Sequence, residues 1–286
     1  MLVMIGAAVV LLGVVGGFVL EGGPVLILLQ PAELLIIGGA AAGSLLIGTP
    51  LKVLRPLAAR LPQLLRGGGV SPATYQELLT LLYEIFVSAK KNGFIGLDQD
   101  VSDPQASPLF AKYPAVLSNP HATAFLSDSL RLLVDGSVTP GQLEELMDAE
   151  LETHCEEAAR GPGVLARTAD SLPGLGIVAA VLGVVITMQA IDGPPSEIGH
   201  KVAVALVGTF LGILLCYGFV GPLASALQAL ADDEARMLHC IKAAVLAFAS
   251  GSAPIVAAEF GRRVLFSYDR PSGAEMEAAF KRAGTP

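Results

Sequence analysis

The chain has 286 residues, of which 53% are hydrophobic and only 15% are charged, and its formal net charge is −8. A soluble domain of this length is more polar, so the composition excludes that class and indicates an integral membrane protein. The negative charge argues against a nucleic-acid partner, and three cysteines provide no disulfide framework.

Four apolar stretches each have the length that a helix needs to cross a bilayer. They run from Leu2 to Leu20, from about Leu34 to Leu51, from Ser171 to Ala190 and from Val202 to Leu223. The predicted fold class is therefore all-α: an integral membrane protein with four transmembrane helices and a helical cytoplasmic domain. The predicted domains are spans one and two (1–54), a cytoplasmic helical domain (55–170), spans three and four (171–223), and a cytoplasmic extension and tail (224–286).

The distribution of lysine and arginine predicts the orientation of the spans. None occurs between Met1 and Leu51, and the connection from Ile191 to Lys201 has only the one at its edge. Because basic loops stay in the cytoplasm, both termini and the polar middle are expected to be cytoplasmic. A short basic segment around Arg60 and Arg66 is expected to meet membrane lipid as it leaves span two.

Capping signals predict helices in the cytoplasmic segments. Three are expected, from Ser71-Pro72 to Gly93, from Asn119-Pro120 to Gly136 and from Thr139-Pro140 to Gly161. Helical spacing of apolar residues continues after span four to Gly251, which predicts one long helix bent near Gly221-Pro222. The polar tail after Asp269 is expected to be frayed or loosely docked.

The spans carry no ionisable residue near their centres. Their acidic residues are expected at the ends, solvated by water and headgroups: Glu21, Glu33, Asp170 and Asp192. A proton or sodium path therefore needs a carboxylate from a partner. The spans themselves offer hydroxyls and helix-breaking prolines: Thr187, Thr209, Tyr217, Pro173 and Pro222. Taken alone, Thr209 is more often bonded back to its own helix, and either proline is more often a simple kink.

No catalytic motif is present, so an enzymatic function has no residues to support it. The adjacent pairs His154-Cys155 and His239-Cys240 project about 100° apart on a helix and would chelate a metal poorly. We therefore expect neither a catalytic site, nor a metal, nor a cofactor.

Four segments in order carry a resemblance to a known family. They are SLPGLGIVAAVLGVV, VGTFLGILLCYGFVGPLA, ELMDAELETH and VAAEFGRRVLFS. They closely resemble the MotA-type stator subunits of the bacterial flagellar motor, within the wider MotA/TolQ/ExbB family. The resemblance implies a proton-driven subunit of the bacterial inner membrane. It also implies a pentamer around two MotB chains, each supplying an ion-carrying aspartate, and torque on the rotor protein FliG.

The resemblance also assigns residues to roles. It puts Pro173, Thr209 and Pro222 on the ion path, where Tyr217 offers a further hydroxyl. Ala180 stands where sodium-driven relatives typically have a second threonine, which implies protons as the coupling ion.

Three charged residues match the positions that meet the rotor in the family: Lys90, Asp98 and Glu150. Here lysine replaces the commoner arginine at 90, and aspartate replaces the commoner glutamate at 98. Lysine keeps the positive charge of arginine but cannot form arginine's paired hydrogen bonds. This contact is therefore expected to guide the approach of the rotor rather than to bind it tightly. Without the resemblance, Lys90 and Asp98 would be interpreted as solvated surface charges.

Two alternatives remain open from the sequence. An ExbB- or TolQ-like energiser of an envelope partner would share the inner path, but it should have three spans and no rotor-facing pair. A non-conducting membrane scaffold would tolerate Thr209→Ala.

Overall fold

The computed structural model describes residues 2–66, 69–189 and 191–283, and most of these residues are helical, with no strand in those ranges. The helices are α1 Leu2–Leu20, α2 Pro31–Gly48, α3 Leu51–Arg66, α4 Pro72–Asn92, α5 Asp98–Ser102, α6 Pro114–Leu117, α7 Pro120–Val134, α8 Pro140–Met188, α9 Pro195–Leu214, α10 Gly221–Ala249, α11 Pro254–Arg263 and α12 Gly273–Ala283. A π-helical segment, Leu215–Val220, joins α9 to α10. The all-α prediction is confirmed.

Four helical stretches are long and apolar enough to cross a membrane. They are Leu2–Leu20, Val25–Gly48, Pro140–Met188 and Pro195–Ala249. The prediction of four spans is thus confirmed, although Ala190, the predicted end of the third, lies outside the described residues. The second helix ends before Thr49-Pro50 because a residue that precedes proline disfavours helical geometry.

The predicted cytoplasmic helix starts are confirmed by their caps. Ser71 Oγ accepts from the Thr74 N–H at 3.2 Å, and the Asn119 side chain caps α7 in the same way. Thr139 and Gln142 bond reciprocally, at 3.0 and 3.3 Å, and form the capping box of α8.

The predicted helix end at Gly161 is wrong. Gly93, Gly136 and Gly251 adopt the left-handed conformation that ends a helix, with φ of 73°, 60° and 91°. Gly161 keeps helical geometry, and α8 continues through Pro162 and Pro173 for 49 residues. A glycine ends a helix through its positive φ, which composition alone does not reveal.

The chain forms two compact units. The membrane unit comprises Met1–Gly68 and Glu157–Ala229, and the extramembrane unit comprises Gly69–Glu156 and Leu230–Pro286. The membrane unit has a small apolar core from α2, α8, α9 and the π segment: Ile37, Ala41, Ala169, Leu172, Ala179, Val207, Leu211 and Cys216.

The extramembrane unit has a larger core, and the chain's tail is part of it. Phe86 stacks on Phe248 with ring centroids 4.4 Å apart, and Tyr83 stacks on Phe280 of α12 at 4.3 Å. Ser272 and Glu275 form a capping box that starts α12. The expectation of a loose tail is therefore wrong for 273–283, because this largely polar segment forms a helix whose apolar face is buried.

Glycines bring α8 and α9 into backbone contact within the membrane unit. A Cβ atom at Gly176 would lie 2.8 Å from the Gly208 carbonyl oxygen, and one at Gly212 would lie 2.5 Å from that of Leu172. No larger residue fits at these distances without moving a helix. We call this contact the glycine seam; it is formed by Gly176, Gly208 and Gly212.

Replacing one seam glycine should destabilise the membrane unit. Gly212→Ala puts a methyl group against the Leu172 carbonyl, an overpacking that typically costs about 1–3 kcal/mol. We expect a lower unfolding temperature and less protein in the membrane. Gly43→Ala on α2 is the matched control, because nothing lies within 4 Å of its added methyl group. Equal stability of the two variants would contradict the seam.

Candidate ion path and rotor-facing surface

The glycine seam carries three of the predicted ion-path residues. The Cβ position at Gly176 lies 3.3 Å from Thr209 Cα, and that at Gly208 lies 3.1 Å from the Ala180 nitrogen. Pro173 lies one turn before Gly176 on α8, and all three predicted residues are half-buried. The structure therefore brings Pro173, Ala180 and Thr209 together along one packed pair of helices.

The hydroxyl of Thr187 is committed to its own helix. Thr187 is 3% exposed, and its Oγ1 donates to the Gly183 carbonyl at 2.8 Å. Such a back bond satisfies the hydroxyl locally. Of the hydroxyls that the sequence offers, Thr187 is thus accounted for by local structure.

The π segment follows from Gly221 and Pro222. The Gly221 N–H donates to the Cys216 carbonyl five residues earlier. Pro222 has no N–H and cannot continue the α-helical ladder at this point. A Cβ atom at Gly221 would lie 2.9 Å from the same carbonyl oxygen, so the wide turn requires glycine there. Such π segments occur frequently at functional sites.

An open groove of about 540 Å³ lies beside this wide turn. Tyr217 and Pro222 line one side of the groove, and Asp170 lines the other. Tyr217 is 73% exposed, and Asp170 and Pro222 are exposed as well. The sequence identified Asp170 only as a solvated helix end; the structure adds that it shares a groove with two predicted ion-path residues.

Glu33 differs from its prediction. Its side chain is only 5% exposed, and its Oε2 has no hydrogen-bond partner among the described residues. The Cβ positions at Gly208 and Gly183 lie 2.7 Å from its Oε2 and 3.7 Å from its Oε1. The expectation of a solvated carboxylate is wrong for Glu33, whereas Glu21 and Asp192 are exposed as expected.

The burial of Glu33 has a local cause. The chain enters α2 at Gln30-Pro31, and Glu33 lies in the first helical turn, where acidic residues are favoured. Two glycines on α8 and α9 leave room for its carboxyl group. One acidic residue in an otherwise uncharged helix was the available signal, but its facing glycines are distant in sequence.

Lys90 and Asp98 are both exposed at the two ends of one short connection. Lys90 lies in the last turn of α4, and Asp98 begins α5. The connection is anchored by buried Leu97 and by Phe94, whose ring lies 5.7 Å from that of Phe248. Ile95, between the two charges, is 81% exposed. A firmly held turn thus presents two charges and an apolar side chain to solvent.

Glu150 is exposed on a different helix, α8. Desolvation by neighbouring protein atoms, together with the negative charge of Asp128, raises the pKa of its carboxyl group. The structure therefore does not bring Glu150 into the α4–α5 connection that holds Lys90 and Asp98.

The described ranges contain no cluster of metal ligands. No group of three or more histidine, cysteine, aspartate or glutamate side chains there could hold a metal ion. Complete burial raises the pKa of the Cys240 thiol and keeps it protonated. Burial, together with Arg236 and Lys242, lowers the pKa of His239.

Comparison with known proteins identifies the family. Residues 4–93 match the motility protein A N-terminal family, and residues 118–239 match the MotA/TolQ/ExbB proton channel family. The chain belongs to the MotA/TolQ/ExbB proton channel family. It is 41% identical to motility protein A of Salmonella typhimurium and 42% identical to that of Escherichia coli. Both alignments cover 100% of this chain and 97% of the relative.

Solved structures of the same fold agree with this membership. The C. jejuni MotAB structure matches with a TM-score of 0.79 at 22% identity, covering 95% of this chain and 98% of that one. A chain of the flagellar MotAB stator complex from Bacillus subtilis matches with a TM-score of 0.76 at 24% identity, covering 94% and 98%.

Within the MotA/TolQ/ExbB family, the chain belongs to the motility branch. The match over residues 4–93 is to a motility protein domain, and it contains the first two of four spans. The three-span ExbB- or TolQ-like alternative is therefore disfavoured. The chain is a flagellar stator subunit of a proton channel family.

Proposed function

We propose that this stator subunit conducts protons together with a MotB-type partner, which supplies the ion-carrying aspartate, and converts the flow into torque on the rotor protein FliG. The subunit forms a homo-pentamer in the bacterial inner membrane, with both termini in the cytoplasm. Support for the partner comes from the solved structures of the same fold, which are MotAB complexes.

The observation that carries the proposal is the glycine seam with Pro173, Ala180 and Thr209 along it. The helix surface along the seam is largely apolar and offers one hydroxyl. Moving the partner's charged carboxylate past it therefore costs free energy, and protonation of that carboxylate removes the cost. The membrane potential contributes about 2.3 kcal/mol per charge per 100 mV, which is adequate to drive such a step.

The groove beside the π segment is the proposed exit. Asp170 and Tyr217 are exposed there, and the interrupted helical ladder at Pro222 weakens the backbone pairing. Water can enter an open groove of about 540 Å³ and accept the released proton. The partner's carboxylate then regains its charge, and the cycle repeats at the next subunit of the ring.

The exposed α4–α5 connection is the proposed rotor contact. Lys90 and Asp98 carry opposite charges on a fixed turn, which suits steering toward complementary charges. Exposed Ile95 between them adds an apolar contact once the surfaces meet.

The orientation can be tested with single cysteines in a background without the native cysteines. Ser196→Cys, at the exposed start of α9, should react with an impermeant thiol reagent in intact cells. Ser137→Cys, exposed between α7 and α8, should react only after the membrane is permeabilised. The opposite pattern would reverse the proposed orientation, which follows from the positions of the basic residues.

The coupling ion can be tested by swimming speed in cells that depend on this chain for motility. Speed should not change with external sodium at fixed ionic strength and should collapse with a protonophore, because Ala180 offers no second hydroxyl to sodium. Thr209→Ala should slow swimming at normal membrane levels. Speed that saturates with sodium and persists with a protonophore would refute proton coupling, and full speed in Thr209→Ala would favour a scaffold.

The rotor contact can be tested by charge reversal. Lys90→Glu should reduce swimming speed several-fold while membrane level and partner association stay normal, since the residue is exposed and far from the spans in sequence. A matching charge reversal on FliG should restore part of the speed. Lys91→Glu is the matched control, because the adjacent side chain projects about 100° away. Equal effects of both reversals would point to general charge rather than a specific contact.

A further inference from the structure

The buried carboxyl group of Glu33 lies in the same layer as the proposed ion path. One point, the Cβ position at Gly208, is 2.7 Å from Glu33 Oε2 and 3.1 Å from the Ala180 nitrogen. Thr209 is the next residue along α9. Glu33 is 5% exposed, and its Oε2 has no hydrogen-bond partner among the described residues.

Apart from the partial positive charge of the α2 N-terminus, the described surroundings of Glu33 offer no positive charge to hold a carboxylate. The segments that pack nearby are 173–188 of α8 and 202–214 of α9, and neither contains an ionisable residue; the π segment that follows α9 does. On the remaining elements, Glu21 follows α1, and Lys201 at the outer part of α9 pairs with Glu197 at 3.0 Å. A buried carboxylate without a partner is strongly disfavoured, whereas a protonated carboxyl group is tolerated.

We propose that Glu33 is a proton-carrying group in the outer half of the stator path. This inference rests on the proposed function, in which a partner aspartate carries the ion. Glu33 takes a proton from water at the outer ends of the spans. Its O–H bond breaks as an O–H bond forms on the partner's carboxylate, and outer water then protonates Glu33 again. The subunit thus contributes a titrating group of its own.

Its position fits this role better than a packing role alone. Buried charged groups that only fill space can often be replaced by apolar side chains of similar volume without loss of stability. Glu33 instead occupies space that two glycines, Gly183 and Gly208, leave open, and it faces the predicted ion-path layer. Intramembrane acidic residues of this kind are characteristic of proton relays.

The first test compares two substitutions in a strain that lacks its own stator subunit but keeps the partner. Glu33→Gln preserves the shape of the side chain but cannot release a proton, so swimming speed should fall several-fold at normal membrane level and normal partner association. Glu33→Asp keeps a carboxyl group and should retain most of the speed, with a shifted dependence on external pH. Glu197→Gln, an exposed carboxyl group on α9, is the control and should swim as wild type.

The outcomes separate the two proposals. Failure of the wild-type chain to support protonophore-sensitive swimming would sink the proposed function itself. With the wild type working, wild-type speed of Glu33→Gln at every pH would overturn the role of Glu33. Equal loss in Glu33→Gln and Glu33→Asp, accompanied by low membrane levels, would also overturn it and leave a packing role.

A second measurement does not depend on motility or on the folding of Glu33→Gln. Infrared difference spectra of the purified complex, recorded between acidic and alkaline buffer, should contain a protonated carboxyl band that shifts in Glu33→Asp. A spectrum in which Glu33→Asp changes no carboxyl band would overturn the proposal.

Discussion

Backbone contact between α8 and α9 is the constraint on which the membrane unit depends. Helices in lipid gain little from burying apolar surface, so close packing of backbones has to supply much of their association. Gly176, Gly208 and Gly212 make that approach possible: a Cβ atom at Gly176 or Gly212 would collide with a carbonyl oxygen of the facing helix, and one at Gly208 with the Glu33 carboxyl group. The same contact sets the positions of Ala180 and Thr209 and leaves the space that Glu33 occupies.

Features governed by local sequence could be predicted, and features governed by tertiary contact could not. Apolar length gives the four spans, and proline after a polar cap gives the starts of α4, α7 and α8. The helix end predicted at Gly161 is wrong because a glycine stop requires a positive φ. The prediction of a loose tail is wrong because Met276 and Phe280 are buried against residues distant in sequence.

The candidate site divides in the same way. The motifs pointed to Pro173 and Thr209, and the structure gathers them on one seam, because both belong to strongly patterned helices. Glu33 and Asp170 were treated as helix ends, since their sequence neighbours say nothing about which helices they face. One is buried against the seam and the other is exposed in a groove. Two carboxylates that look alike in sequence thus occupy opposite environments.

The π segment has a consequence for the helix that follows it. A π turn closes with one more residue than an α turn, so the regular α-helical spacing of residues is shifted by one position across it. Residues just after Gly221 therefore continue the faces of α9 one position later in the sequence than an unbroken α-helix would. Deletion of one residue there would remove the extra position, and the Pro222 ring would then meet the carbonyl groups of an ordinary α turn, which it cannot fit without a kink.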